Sequence, residues 1–587
     1  MFGPLLVALA WPLGACGSDA FPFNADNPGR GPGELLDNTQ PLNSDYTGGT
    51  SGDPEAAASD PAALAAIPVC DAPCRDYCDG LSLNNPVDAS MCRALWGVGL
   101  DTRPIDFHEA CRRLHVDLLG EFPTRGQSNR ACADGDWDTA VSGMLQDERF
   151  VRVHRRRWAD LLRYNNTAVS IERIYDADQL VARLYLGYAS YDEFAAVVSA
   201  HPVLTRRYDT AGDRVEALFE LFLGRPPYNN ERADMARLYA QWENGYFDHP
   251  ALGMRLPDAT LRFPCVTDDG RVDPSTKGQC TSVLWGYKEV ILTPDYRALE
   301  GEMWSGLLTA DEWHLLQEPG RIIASQLGFW EHAVDRALEY YLGYDLVTDI
   351  PAVRKALVEY VLAHNGDMRA LHYAIATSQI YLQSSAGETE TEHRYTHGPL
   401  KQATVETWID SLKKTTGYDL GRCDHRMPEP RDIAESSPAG IALVRASEWD
   451  LTDNGIRRDY RDLARTLGGC PDNNVGGRFT TVSILTTATQ ESFVASVCNP
   501  ALQQNRGAGV EALIPGDLDP SRAIDADAAE AIVEHQVRTF FGRRAREAER
   551  QEARDNATAC TPAPCSVEAF ARPVCYALLS SSEMLFY

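Results

Sequence analysis

The sequence predicts a mainly α-helical protein: an irregular multi-helical assembly of helix–glycine–helix units, stapled by disulfides, behind a disordered N-terminal tether. Three observations carry that expectation. A helix–glycine–helix punctuation occurs four times. Apolar residues at i, i+3 and i+4 spacing precede each glycine, which is the signature of one buried helix face. The chain holds 15 cysteines, and setting Cys16 aside leaves an even number, as a disulfide framework requires.

The clearest unit runs from Glu216 to Met235. Val215, Leu218, Phe219 and Phe222 form one helical face, Gly224 follows, Pro226 and Pro227 break the chain, and Asn229 or Asn230 is placed to cap a second helix. The first copy has Cys111, Leu114, Leu118 and Leu119 ahead of Gly120, then a helix at Val141, Met144 and Leu145. The stretch 154–164 puts Trp158, Leu161 and Leu162 on one face and arginines on the others. The third has Val334, Leu338, Tyr341 and Leu342 ahead of Gly343, then a helix from about Ala352 to His364 closed by Asn365-Gly366. The fourth has Val533, Val537, Phe540 and Phe541 ahead of Gly542. Four closing segments also resemble one another: MLQDERF (144–150), ILTPDY (291–296), IATSQIY (375–381) and LLSSSEMLF (578–586). Each has a polar residue able to cap the next turn and an aromatic or aliphatic residue to pack back on the core. Helix pairs of this kind cannot bury their faces alone, and their unequal lengths argue against a regular solenoid.

At 587 residues the chain is too long for one core. Five segments are expected: a lipoprotein signal peptide (1–16), a disordered linker (17–66), a Cys-rich capping segment (67–107), a first helical domain (108–300) and a second (301–587). The apolar run Phe2–Leu13 is too short to span a bilayer and ends in Leu13-Gly14-Ala15-Cys16, which resembles a bacterial lipobox with Cys16 as the lipidation site. A plain secretory signal cut nearby is the other reading, and both export the chain. Residues 17–66 are rich in Gly, Pro, Asp, Ser and Asn and too poor in aliphatic residues to bury a core. Localisation to the bacterial cell envelope follows, lipid-anchored to the outer membrane and either periplasmic or surface-exposed.

Several chemistries lack their residues. A net charge of −29 opposes a phosphate-binding surface, so no nucleic-acid partner is expected. Cys70, Cys74 and Cys78 recur every four residues with Cys92 beyond, but without the Cys-x-x-Cys-His of haem attachment or the tight pairs of a zinc site, so a disulfide knot is favoured. Disulfides are expected for Cys265 with Cys280, which flank a polar loop, and for Cys560 with Cys565, which bracket Thr-Pro-Ala-Pro. Cys423, Cys470 and Cys498 fall in loop-rich sequence with no deducible pairing. Asp134, Asp136 and Asp138 have calcium-loop spacing, yet Thr139 and Leu145 stand where an EF-hand needs Gly and Glu, and a helix cap explains them better. Asp268, Asp269 and Asp273 are a second weak calcium candidate. Glu331, His332 and Asp335 share one helical turn, as a metal site would, or as solvated charges would. No metal site and no catalytic residue are assigned.

Five stretches add a family resemblance. Residues 111–124, CRRLHVDLLGEFPT, followed by a helix ending in RRRWADLLRY (155–164), resemble the opening of a domain of unknown function from large secreted planctomycete-type proteins. Residues 369–385, 479–497 and 577–587 resemble the second domain of unknown function usually paired with it. The resemblance implies a cytochrome-associated family, and this chain lacks the haem signature many members carry in front. The expected function is that of a non-catalytic binding or scaffold lipoprotein at the bacterial surface, with an envelope protein or polysaccharide as partner. The alternative is a metal-dependent envelope hydrolase acting on polysaccharide.

Overall fold

A computed structural model describes residues 72–79, 85–97, 105–162, 174–255, 317–417, 463–469, 483–499, 510–560 and 565–587, several of these stretches with internal gaps. Cys16, the linker 17–66, Cys265, Cys280, Asp268, Asp269, Asp273, Cys423, Cys470 and the segment 291–296 lie outside the described residues. The protein is mainly helical, with 21 helices among the described residues. None of these is long and apolar enough to cross a membrane.

The chain enters through α1 (Ala72–Asp79) and α2 (Pro86–Gly97), joined by a Cys78–Cys92 disulfide. Just before α2, Asn85 Nδ2 donates to the Ala374 carbonyl at 2.7 Å and to Thr377 Oγ1 at 3.0 Å, so the pair docks on a turn nearly 300 residues away. The first glycine unit is α3 (Phe107–Leu119), Gly120, α4 (Trp137–Leu145) and α5 (Glu148–Leu161). After α6 (Ile174–Leu186) and α7 (Tyr191–Ala200), the second is α8 (Ala211–Leu223), Gly224, α9 (Asn229–Gly245), the two-residue strands β1 (Asp248–His249) and β2 (Met254–Arg255), α10 (Glu318–Ala324) and α11 (Leu327–Leu342). The same α11 opens the third: Gly343, α12 (Pro351–Ala363), α13 (Met368–Ala376) and α14 (Gln379–Leu382). Then come α15 (Val405–Thr416), α16 (Ile484–Val497) and α17 (Val510–Leu513). The fourth unit is α18 (Ala526–Phe541), Gly542, α19 (Glu547–Ala559), α20 (Val567–Leu579) and α21 (Ser582–Leu585).

Glycines 120, 224, 343 and 542 each follow the last residue of a helix with φ of 70°, 64°, 74° and 74°. A left-handed residue there lets the chain turn while its N–H still reaches back, as Gly120 N does to Val116 O at 3.0 Å. At Gly224 a Cβ would lie 2.5 Å from His332 Nδ1, so both conformation and space demand glycine. The second helix of that unit begins at Asn229 itself. The N–H of Tyr228, just ahead of it, donates to Glu231 Oε2 at 2.8 Å, so Asn229 is the first helical residue and not the cap.

The closing segments are one repeated joint. A helix ends at an αR residue, the next residue is extended, and a new helix starts. The extended residues are Asp147, Gln326, Ser378 and Ser581, with ψ of 138°, 140°, 147° and 157°. At each, its N–H bonds the carbonyl three residues back, and its own carbonyl accepts from the residue three ahead. That residue is Phe150, Phe329, Tyr381 or Met584, every one with no measurable exposure. The joint swings the chain and drives one large side chain into the core. The joint at Ser325-Gln326 was not singled out in the sequence.

The helix faces build two large cores. One runs from Val87 to Tyr395 and draws on helices either side of residue 300. The other combines Val116 and Phe122 with residues from Ala403 to Met584. On α5, Trp158 and Leu162 are buried as expected, but Leu161 is 38% exposed and Arg155 is buried. A face is set by i, i+4 and i+7, which selects 151, 155, 158 and 162 and turns 161 outward. Further disulfides link Cys111 to Cys132, Cys498 to Cys575 and Cys560 to Cys565, and Cys74 is also disulfide-bonded.

Candidate functional site at the junction of the cores

Helix α3 lies between the two cores and carries a buried acid, Asp117, held by side chains from three distant stretches of the chain. Asp117 sits one turn beyond Leu114 on the apolar face, 1% exposed. Its Oδ2 accepts from Tyr381 Oη at 2.7 Å and from Lys401 Nζ at 2.6 Å, and its Oδ1 from Tyr587 Oη at 2.7 Å. Its backbone carbonyl accepts from Tyr340 Oη at 2.6 Å, and Lys401 Nζ also donates to the Tyr340 carbonyl at 2.9 Å. The glycine three residues after Tyr340 leaves room for this approach: Gly343 ends α11 where the Lys401 stem passes, 3.3 Å from where a Cβ would stand.

Tyr587 arrives by strand-like pairing. Lys401 and Tyr587 exchange both backbone hydrogen bonds at 2.9 Å, and Ala403 N donates to Leu585 O at 2.8 Å. Three side chains from three separate stretches therefore converge on one carboxylate, and a fourth, Tyr340, holds the backbone carbonyl of the same residue. Burial pulls the Lys401 ammonium down to about 8, against the attraction of Asp117. Burial and the Asp117 charge hold the Tyr381 and Tyr587 phenols well above their ordinary value, so both remain donors at neutral pH.

A second layer adjoins the hub. Tyr341 Oη lies 2.7 Å from His372 Nδ1, and the His372 ring is 4.4 Å from that of His154. His154 stacks on Tyr185 at 3.9 Å, and Trp158 Nε1 donates to Tyr185 Oη at 3.0 Å. Neither ring nitrogen of His154 has a hydrogen-bond partner, although the residue has no exposure. Burial lowers His372 to about 3 and His154 well below its usual value, so both are neutral.

Ion pairs surround the hub. Arg112 donates to the Glu583 carbonyl and its guanidinium lies 4.0 Å above the Phe122 ring. Lys414 Nζ meets Glu121 at 2.7 Å, Arg156 meets Asp410 at 2.9 Å, and Phe122 N donates to Ser411 Oγ at 3.0 Å. Chemically, a lysine lowered to about 8 beside a carboxylate is the composition of an acid–base pair. Here its donors and acceptors are engaged with one another, which makes the arrangement a clamp.

The residues singled out in the sequence are placed as follows. Asp136 caps α4 by accepting from Thr139 N at 3.1 Å, and Asp138 is bonded by Tyr373; Asp134 lies outside the described residues. Asp335 pairs with Arg354 at 2.6 Å, His332 bonds the Leu221 carbonyl, and burial lowers His332 to about 4, so these two do not converge with Glu331 on a shared point. Among the described residues, one group of three metal-ligating side chains does converge: Cys111, His115 and Cys132. The hub residues Asp117, Lys401, Tyr340, Tyr381 and Tyr587, and the pair His154 and His372, were not anticipated. Their signal was present: Asp117, His154 and His372 each interrupt an apolar helix stripe.

No protein-family model, no curated protein and no solved structure matches this chain.

Proposed function

We propose that the protein is an exported, disulfide-braced helical scaffold of the bacterial cell envelope, anchored through an acylated Cys16 and binding an envelope protein or polysaccharide. The observation that carries this reading is the set of disulfides. Four bonded pairs, separated by 14, 21, 77 and 5 residues, brace the N-terminal helix pair and both large cores. Such frameworks form and persist in oxidising compartments and are rare where thiols are kept reduced. The internal engagement of Asp117 and Lys401 supports a role in holding the body rigid. An acidic surface suits a soluble body carried outside the cytoplasm on a tether. Kinship with the planctomycete-type paired domains belongs to the same proposal, supported by the motifs at 111–124 and 369–385.

Fractionation of the native host, with mass spectrometry of the N-terminal peptide and thiol counting, tests it. The expected result is membrane-associated protein, acylated at Cys16, with Cys78, Cys92, Cys111, Cys132, Cys498, Cys560, Cys565 and Cys575 blocked to alkylation. Cytoplasmic protein with those thiols free would overturn it. For the binding role, a deletion strain should show altered surface composition; unchanged composition and no co-purifying partner would count against that part.

A further inference from the structure

We propose that Cys111, His115 and Cys132 form a redox-gated site for a soft divalent cation of the zinc type, occupied when the Cys111–Cys132 bond is reduced and closed when it is formed. The three side chains are 1%, 2% and 4% exposed, and one ligand atom from each lies within 4.8 Å of the others. Helix α3 places His115 one turn after Cys111, so both side chains rise on the same face. His115 Nδ1 stands 3.6 Å from Cys111 Sγ. Sulfur and nitrogen bound tetrahedrally to zinc at ~2.3 and ~2.1 Å are separated by about 3.6 Å, so this edge of the site is already at ligand spacing. Cys132 supplies the third ligand from the loop before α4.

The chemistry balances simply. A dithiol reductant delivers two electrons and two protons to the disulfide and is itself oxidised to a disulfide, leaving two thiols on the protein. Zinc then displaces the two thiol protons. The proton on His115 Nδ1, held by the Cys111 carbonyl at 2.9 Å, moves to Nε2, so the imidazole stays neutral. Burial already keeps His115 unprotonated near neutral pH, which a ligand requires. Bond and metal close the same 111–132 loop, so the chain would keep this end of α3 in register before oxidation or after reductive attack. The inference is independent of export.

The test is differential alkylation of the full chain. The protein is reduced anaerobically with a phosphine under native conditions, divided, and given Zn2+ or none. It is then pulse-labelled with iodoacetamide and mapped by mass spectrometry. The expected result is labelling of Cys111 and Cys132 slowed at least tenfold by zinc, with Cys78 and Cys92, which have no converging histidine among the described residues, unaffected. His115→Ala should abolish most of the protection, whereas His535→Ala, a half-buried histidine far along the chain, should leave it intact. Equal labelling rates with and without zinc would overturn the site, as would protection that His115→Ala leaves unchanged. Loss of helical circular dichroism on reduction, not restored by zinc, would overturn it equally.

Discussion

At the scale of single residues, the hub turns on charge neutralisation in a buried place. Asp117→Ala leaves the Lys401 ammonium without its counter-charge and two phenols without an acceptor. Removing one partner of a buried ion pair costs about 3–5 kcal/mol, much of it the penalty on the survivor. Urea unfolding should show that loss, and Lys401→Met added to Asp117→Ala should restore at least ~1 kcal/mol, a coupling between contacting residues. Additive losses would mean the two are not energetically linked. His154 poses the opposite case. Its ring buries an N–H with no acceptor, and an apolar replacement of similar shape can be neutral or stabilising. His154→Phe should therefore leave the urea midpoint unchanged or raise it. A loss above about 2 kcal/mol would show that the imidazole has a bound partner, such as buried water.

The buried histidines also set the pH response. His115, His154 and His372 have folded values below 6.5, lowered mainly by burial. Below pH 6.5 the unfolded chain binds protons that the folded chain refuses. Stability is thus fully present above that pH and falls on acidification towards the folded values, by up to ~1.4 kcal/mol per pH unit for each group. Asp88 works the other way: burial raises it to about 7, so its contribution is lost as pH rises from 3.8 to 7. His108 and His332 are lowered as well, while Glu331 and Asp335 are raised like Asp88, so five histidines against three carboxyls leave the protein weaker at pH 5 than at pH 7, a difference that urea midpoints at the two pH values would register. Asp88→Asn, which keeps an oxygen for the Gln379 N–H, should raise stability at pH 8 and change little at pH 4.

At the scale of elements, the fold rests on two devices, glycine stops and the extended joint. Gly224→Ala forces a side chain into a left-handed residue and against His332, and should cost at least ~1 kcal/mol by thermal or urea unfolding. The glycine stops were legible because only glycine adopts that backbone freely and the apolar face ends abruptly before it. Three of the joints were visible as short polar interruptions, but Ser325-Gln326 was not, because its polar pair is followed by Leu327-Gly328 and reads as a continuing helix. The partners of Cys111 and Cys498 were illegible for another reason: loop closures of 21 and 77 residues leave no local trace in composition. The hub was hidden likewise. Asp117 meets Tyr381, Lys401 and Tyr587 across 264, 284 and 470 positions, and no periodicity reports contacts at that range.

At the scale of the whole molecule, two cores are clamped into one body through α3. Val116 and Phe122 belong to the second core while Leu114 and Leu118 belong to the first, and Asp117 lies between them. The clamp is polar, so it should couple the cores without being their main source of stability. The most direct measurement is urea-dependent hydrogen exchange followed by mass spectrometry, comparing α5 in the first core with α18 in the second. In the natural sequence both should open with the same urea dependence. In a chain carrying Asp117→Ala and Tyr587→Phe, α18 should open at lower urea than α5. Separate opening in the natural sequence, or joint opening in the variant, would contradict the clamp.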